Sequence, residues 1–235
     1  MSDATPKSYF WHGFKAGVPF LLVVLPFGVL FGVVAMEAGF TALQTMAFSS
    51  VVFAGAAQFA ALQLMVEDAP FMIVVVTALA VNLRMAMYSA SLSVYLGKAP
   101  LWQRALIAYV NVDQSYAVSM NRFEDEPGMT LAQRIAYFFG AVTPVCPLWI
   151  VATALGILVG DAIPDWMALD FAVPICFLAI IAPMMRTLAH MVAAVTSIVL
   201  ALLLAGLPFN LGLLIAAVIA MIIGAQIEVR SQPKA

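Results

Sequence analysis

Two opposite charges stand deep inside apolar runs of this 235-residue chain: Arg84 in "AVNLRMAMYSASLSVY" and Asp113 in "AYVNVDQSYAV". A central arginine costs about 2.5–3.5 kcal/mol on membrane-insertion scales, so each such charge needs a reason to be there. Together they could neutralise one another, or hold the two ends of a zwitterion. Asp113 could also carry a proton. Around them the sequence gathers amides, Asn82, Asn111, Gln114 and Gln58, which can bind a polar solute without adding charge. The set Gln58, Asn82, Arg84, Asn111, Asp113 and Gln114 is therefore the candidate substrate-binding or coupling group.

Covalent chemistry has no matching signature. There is no HExxH, GxSxG or Walker loop, and the two histidines, His12 and His190, are far apart. Cys146 and Cys176 lack CxxC or Cys/His spacing and read as small buried hydrophobes. The expectation is a protein that is not an enzyme, with no metal site, no catalytic residues and no cofactor.

These polar groups must be positioned within a membrane. The chain is 65% hydrophobic and only 9% charged, against about a quarter charged for soluble domains. A net charge of −2 with no basic tail argues against nucleic acid. The first apolar run continues to Met36 with no A-x-A-like cleavage site, so it reads as an uncleaved span. The expected fold is an all-α polytopic membrane protein, a single integral membrane transport domain over 1–235.

Apolar segments fall at about 14–36, 44–66, 70–96, 103–121, 134–160, 171–185, 188–207 and 210–227. The second is rich in small and polar groups, and the fourth holds Asn111, Asp113, Gln114 and Ser115. If both enter and leave on one side, Lys7, Lys15, Lys98, Arg104, Arg122, Arg134, Arg186, Arg230 and Lys234 all fall on the cytoplasmic side. Glu37, Glu67, Asp68, Asp161, Asp165 and Asp170 then fall outside, without lysine or arginine. This partition predicts about six full transmembrane helices plus two broken or re-entrant segments, with both termini inside. The loop "RFEDEPGMT" is expected to be a solvated connector.

Several segments are interrupted by proline or glycine. Pro19, Pro26 and Gly28 in segment one, Gly55 in segment two, and Pro144 and Pro147 in segment five are the helix-break candidates; segment six carries Pro174 and Pro183. On a continuous helix Ser50, Ala54, Ala57, Gln58 and Ala61 share one face, small enough for another helix to approach closely. Gln58 there is either interhelical glue or an amide lining a substrate path, and Gln63 points away. In segment three Thr77, Arg84, Tyr88, Ser91 and Tyr95 line one face, and Asn82, Ser89 and Ser93 line nearly the opposite one. That distribution predicts enclosure by protein or water. Arg84 is either one half of a structural ion pair or a substrate or coupling residue.

The stretches "FKAGVPFLLVVLPFGVLFG", "FAGAAQFAAL", "NLRMAMYSASL" and "VDQSYAV" follow in an order that resembles the AzlC family, over nearly the whole chain. The chain departs at Met85, where members often have histidine, and at Gln114, where they often have glutamate. The resemblance implies the large subunit of a two-component exporter of branched-chain amino acids such as valine and leucine. It also implies a bacterial inner membrane and a small hydrophobic AzlD-like partner subunit. The expected function is a secondary transporter working by alternating access. The alternatives are a non-transporting assembly subunit, or a channel for another small solute.

Overall fold

The computed structural model describes residues 5–160, 185, 187–208 and 211–231. Among these every regular element is helical: α1 (Pro6–Gly17), α2 (Leu21–Glu37), α3 (Ala42–Val51), α4 (Gly55–Val66), α5 (Phe71–Leu96), α6 (Leu101–Val110), α7 (Asp113–Asp125), α8 (Leu131–Gly160), α9 (Leu188–Leu203) and α10 (Leu211–Ser231). Helix is what a bilayer demands, because lipid offers no partner for backbone N–H and C=O groups. Among the described residues four stretches are long and apolar enough to cross a membrane: Pro6–Glu37, Phe71–Leu96, Leu131–Gly160 and Leu211–Arg230. Leu188–Leu203 is a shorter apolar helix. Segment six, with Cys176, Pro174 and Pro183, lies outside the described residues, as do Asp161, Asp165, Asp170, Arg186 and Lys234.

Packing groups the chain into two units, one of residues 5–62 and 78–160, the other of 63–77 and the described residues beyond 184. In the second, α9 and α10 pack together, with Gly224 against the Ala193 methyl. Thr187 caps α9, accepting from the His190 amide at 3.2 Å. Gln63 is exposed and donates to Glu67, pointing outward as its spacing predicts.

The first unit is organised by α8, whose 30 residues span about 45 Å at 1.5 Å per residue. α1 and α2 run parallel to it in a close seam. Gly13 and Gly17 lie against backbone at Tyr137 and Ala141, and Gly28 and Gly32 against Ala152, Thr153 and Gly156. A Cβ on Gly32 would strike the Thr153 carbonyl, and one on Gly140 the Phe10 carbonyl. Two GxxxG spacings, Gly13/Gly17 and Gly28/Gly32, thus allow the near contact on which dispersion between membrane helices depends.

This seam corrects the expected helix breaks. The chain leaves α-helix at the 3-10 turn Val18–Phe20, which contains Pro19. It remains helical through Pro26 and Gly28 in α2, and through Pro144 and Pro147 in α8. A proline loses one backbone hydrogen bond, but the flanking turns stay paired and are clamped by the neighbouring helix.

Segments two and four are each two helices. α3 ends at Val51 and α4 begins at Gly55, with Val52 extended (φ −116°, ψ 91°). α6 ends at Val110 and α7 begins at Asp113, with Asn111 (φ −69°, ψ 121°) and Val112 (φ −131°, ψ 163°) extended. The first break lies just before Gly55, one of the expected helix-break positions, and the second just before Asp113. Ser115 then caps α7, its hydroxyl accepting from the Val112 amide at 3.0 Å and donating to the Val112 carbonyl at 2.9 Å.

Each pair of half-helices folds back as a hairpin. Phe31 of α2 touches both Phe48 of α3 (5.7 Å between ring centroids) and Phe59 of α4 (5.5 Å). α7 runs parallel to the second half of α5, with Arg84 beside Asp113, Tyr88 stacked on Tyr116 at 4.1 Å, and Tyr95 against Phe123 at 5.4 Å. Thus α6–α7 departs from and returns to one end of the bundle. The same end holds the start of α1: Tyr9 donates to Glu126 at 2.5 Å, Glu126 pairs with Arg122 at 2.6 Å, and Arg122 lies 5.8 Å from the Tyr9 ring. Arg134 donates to the Pro127 carbonyl at 2.8 Å and sits 5.2 Å from the Tyr95 ring. The loop has the solvated surface expected of a connector, with Glu124, Asp125, Pro127, Gly128 and Thr130 exposed, and Phe123 and Met129 anchor it in the core. Had segment four crossed fully, Arg122 would lie a bilayer's thickness from Tyr9.

Two outcomes follow. In a Cys146→Ala/Cys176→Ala background, single cysteines at Lys7, Lys98 and Glu124 should react with an impermeant maleimide from the same side of the membrane; opposite sidedness at Lys98 and Glu124 would overturn the hairpin. Gly32→Leu should lower the thermal unfolding midpoint in detergent by an overpacking cost of about 1–3 kcal/mol. Gly128→Ala, which meets nothing within 4 Å, should leave it unchanged.

Candidate functional site at the tips of two broken helices

A helix that stops inside a membrane leaves its last carbonyls and the next helix's first amides without intrahelical partners. The first unit satisfies several of them by bringing the two tips together. Tyr109, just before the second break, donates its hydroxyl to the Ser50 carbonyl in the last turn of α3. Its ring packs edge-on against Phe53 in the first break, 5.2 Å between centroids. Gln58 Nε2 reaches back to the Phe48 carbonyl at 3.2 Å, which also accepts from the Val52 amide. The Cys146 thiol lies 3.8 Å from the Val110 carbonyl, so α8 supports the second break.

The walls around Gly55 are aromatic. A Cβ there would stand 2.8 Å from Phe27 and 3.1 Å from Trp149, so any other residue would have to displace the Phe27 ring. Phe27, Phe31, Phe59 and Trp149 are buried, with Phe27 and Phe59 4.9 Å apart. Beside them Ser49 and Thr153 share a buried hydrogen bond of 2.8 Å.

The sequence candidates divide. Arg84 and Asp113 come together, Nη1 to Oδ2 at 2.9 Å, each side chain more than a third exposed. Asp113 is the first residue of α7, where its charge also complements the helix dipole. Asp113 Oδ1, Arg84 Nε and Asn82 Oδ1 are buried and have no hydrogen-bond partner among the described residues. Asn111, within the second break, is 3% exposed, and neither its Oδ1 nor its Nδ2 has such a partner. Gln114 follows Asp113 and is partly exposed. Gln58 is 0% exposed with Ala54, Ala57 and Ala61 also buried, as their shared face predicts. Ser50 leaves that face, because it belongs to α3, and the buried serine is Ser49.

The opposite face of α5 carries Asn82, Ser89 and Ser93. Asn82 and Ser89 are partly exposed and Ser93 is exposed, while Leu83, Met87 and Val94 on the flank between the two polar faces are exposed. Ser93 bonds the Ala90 carbonyl at 2.6 Å and Ser91 the Met87 carbonyl at 3.2 Å, so these hydroxyls are satisfied by their own helix. Tyr109, Tyr88 and Tyr116 were not among the candidates. Their roles depend on which helix each one meets.

An opposed ion pair, several unpaired buried amide and guanidinium atoms, and four helix ends at one level can bind a small zwitterion or polar solute. Among the described residues no three His, Cys, Asp or Glu side chains cluster as a metal site would.

Relatives share this membrane character. A 28% identical protein of Archaeoglobus fulgidus, covering 83% of this chain and 84% of its own, is called an uncharacterized membrane protein. One of Helicobacter pylori bears the same description at 26% identity, covering 73% of each chain. The inner membrane protein YgaZ of Escherichia coli is 27% identical over 51% of each chain. No solved structure matches. The family model described as AzlC protein matches residues 19–163, which include both hairpins and the ion pair, and the chain belongs to the AzlC family.

Proposed function

We propose that this protein is a secondary transporter that exports branched-chain or similar neutral amino acids, such as valine and leucine, by alternating access and without ATP. The observation that carries the reading is the meeting of two half-helix hairpins beside the Arg84–Asp113 pair. Interrupted helices that join at mid-membrane offer amides to a carboxylate and carbonyls to an ammonium, while the aromatic walls keep lipid and water away. A substrate carboxylate would be taken by Arg84 and the first amides of α7. Its ammonium would go to Asp113 or to the acceptors at the helix ends. The ion pair then holds the empty site neutral, and substrate replaces each charge's partner rather than leaving it bare.

The small AzlD-like membrane subunit is proposed as the partner, and the bacterial inner membrane as the location, in keeping with the name of the Escherichia coli relative. The charge partition of the loops supports cytoplasmic termini.

Counterflow of labelled valine into proteoliposomes holding both subunits tests this. Flux should saturate, which a channel's would not. Arg84→Ala and Asp113→Asn should each lose about ten- to a hundredfold in flux at limiting substrate, the worth of a hydrogen bond to a charged group. Intact flux in both variants would remove the pair from the site.

A further inference from the structure

The two hairpins are built alike. α3 and α6 have 10 residues each, and α6 begins 59 residues after α3. α4 and α7 have 12 and 13 residues, and their last residues, Val66 and Asp125, are again 59 apart. The long helices before them, α2 and α5, end at Glu37 and Leu96, at the same interval. In each set the returning half-helix packs on the long helix that precedes it, through rings 28 residues apart: Phe31–Phe59 (5.5 Å between centroids) and Tyr88–Tyr116 (4.1 Å). Each returning half-helix also closes on an i,i+4 polar pair, Gln63–Glu67 and Arg122–Glu126, once more 59 residues apart. Residues 21–66 and 80–125 thus share one plan, although their side chains show no evident repeat.

The copies point opposite ways. α2 runs along α8 away from Tyr9, so the first hairpin hangs from the far end of the bundle, and the second hangs from the Tyr9 end. Their breaks meet near the middle of α8, against Trp149 and Cys146. Each ring pair therefore lies between the tips and its own end of the bundle. We propose that residues 21–66 and 80–125 are inverted copies of one helix-and-hairpin unit, and that their ring pairs are the two gates of the solute path. α7 parting from α5 at Tyr88–Tyr116 opens the tips toward the Tyr9 side. α4 parting from α2 at Phe31–Phe59 opens them toward the other side. Rocking of one inverted repeat against another about a fixed site is a general way to build alternating access. The gating role rests on the transporter reading above, whatever the solute; the inverted copies do not.

Cys146, 6% exposed and beside the second break, is a built-in reporter of access to the tips. In a Cys176→Ala background, a charged, impermeant methanethiosulfonate is applied to one side at a time of right-side-out and inverted vesicles. The parent should be nearly inert. Tyr116→Ala should raise the rate of Cys146 modification about three- to tenfold from the Lys98 side only, the effect of losing one ring contact. Phe59→Ala should raise it by a similar factor from the opposite side only. Tyr116→Phe keeps the ring and should stay at the parental rate, whereas a general loosening of the fold would expose Cys146 from both sides. In a Cys146→Ala/Cys176→Ala background, Phe40→Cys and Lys98→Cys, in the equivalent loops, should label from opposite sides. The proposal is overturned if these two label from the same side, or if the alanine variants expose Cys146 from both sides or from neither. Sided exposure in a protein that does not exchange valine would keep the gates and remove the amino acid reading.

Discussion

The structure depends on one constraint: backbone groups released where a helix stops cannot be left bare in an apolar medium. Each unsatisfied group costs several kcal/mol there, roughly the worth of several ordinary hydrogen bonds. Two helices stop inside this bundle, and each tip supplies part of what the other lacks. Tyr109 donates from the α6–α7 hairpin to the Ser50 carbonyl, and Gln58 donates across the α3–α4 break to that of Phe48. The tips are held together because neither could be stable in lipid alone.

The rest of the first unit serves that junction. α8 is the common wall, and the glycine seam brings α1 and α2 against it closely enough that no side chain intervenes. With that wall fixed, Trp149 and Phe27 close around Gly55, and Cys146 reaches the Val110 carbonyl. α7 is braced at both ends, by Arg84 at its first residue and by the Tyr9–Glu126–Arg122 group at its last turn.

Much of this was legible in the residues. The mismatch between apolar length and polar content marked segments two and four as different from spans. The distribution of lysine and arginine predicted that segment four returns to its own side, and the contacts of Tyr9 and Tyr95 with the α7 end agree. Proline was the less reliable guide: of five candidate positions in segments one and five, the chain leaves α-helix only at Pro19. Proline weakens a helix by one bond, and tight packing against a neighbour can outweigh that. The break in segment two falls just before Gly55 and that in segment four just before Asp113, where freed backbone groups have partners waiting. The GxxxG pairs in α1 and α2 were visible but silent, since spacing alone does not name the helix that fills the groove.

The sequence by itself determined the solvent, the secondary structure and the short roster of polar residues, because these follow from hydropathy and from what a bilayer forbids. Tertiary structure decided the pairings. Arg84 and Asp113 are 29 residues apart, and only the parallel run of α5 and α7 brings them within 2.9 Å. Gln58 looked equally suited to gluing helices and to lining a path. Its amide nitrogen bonds a carbonyl on the far side of a break, and so ties α4 to α3. Such choices depend on directions in space, which hydropathy and spacing do not encode.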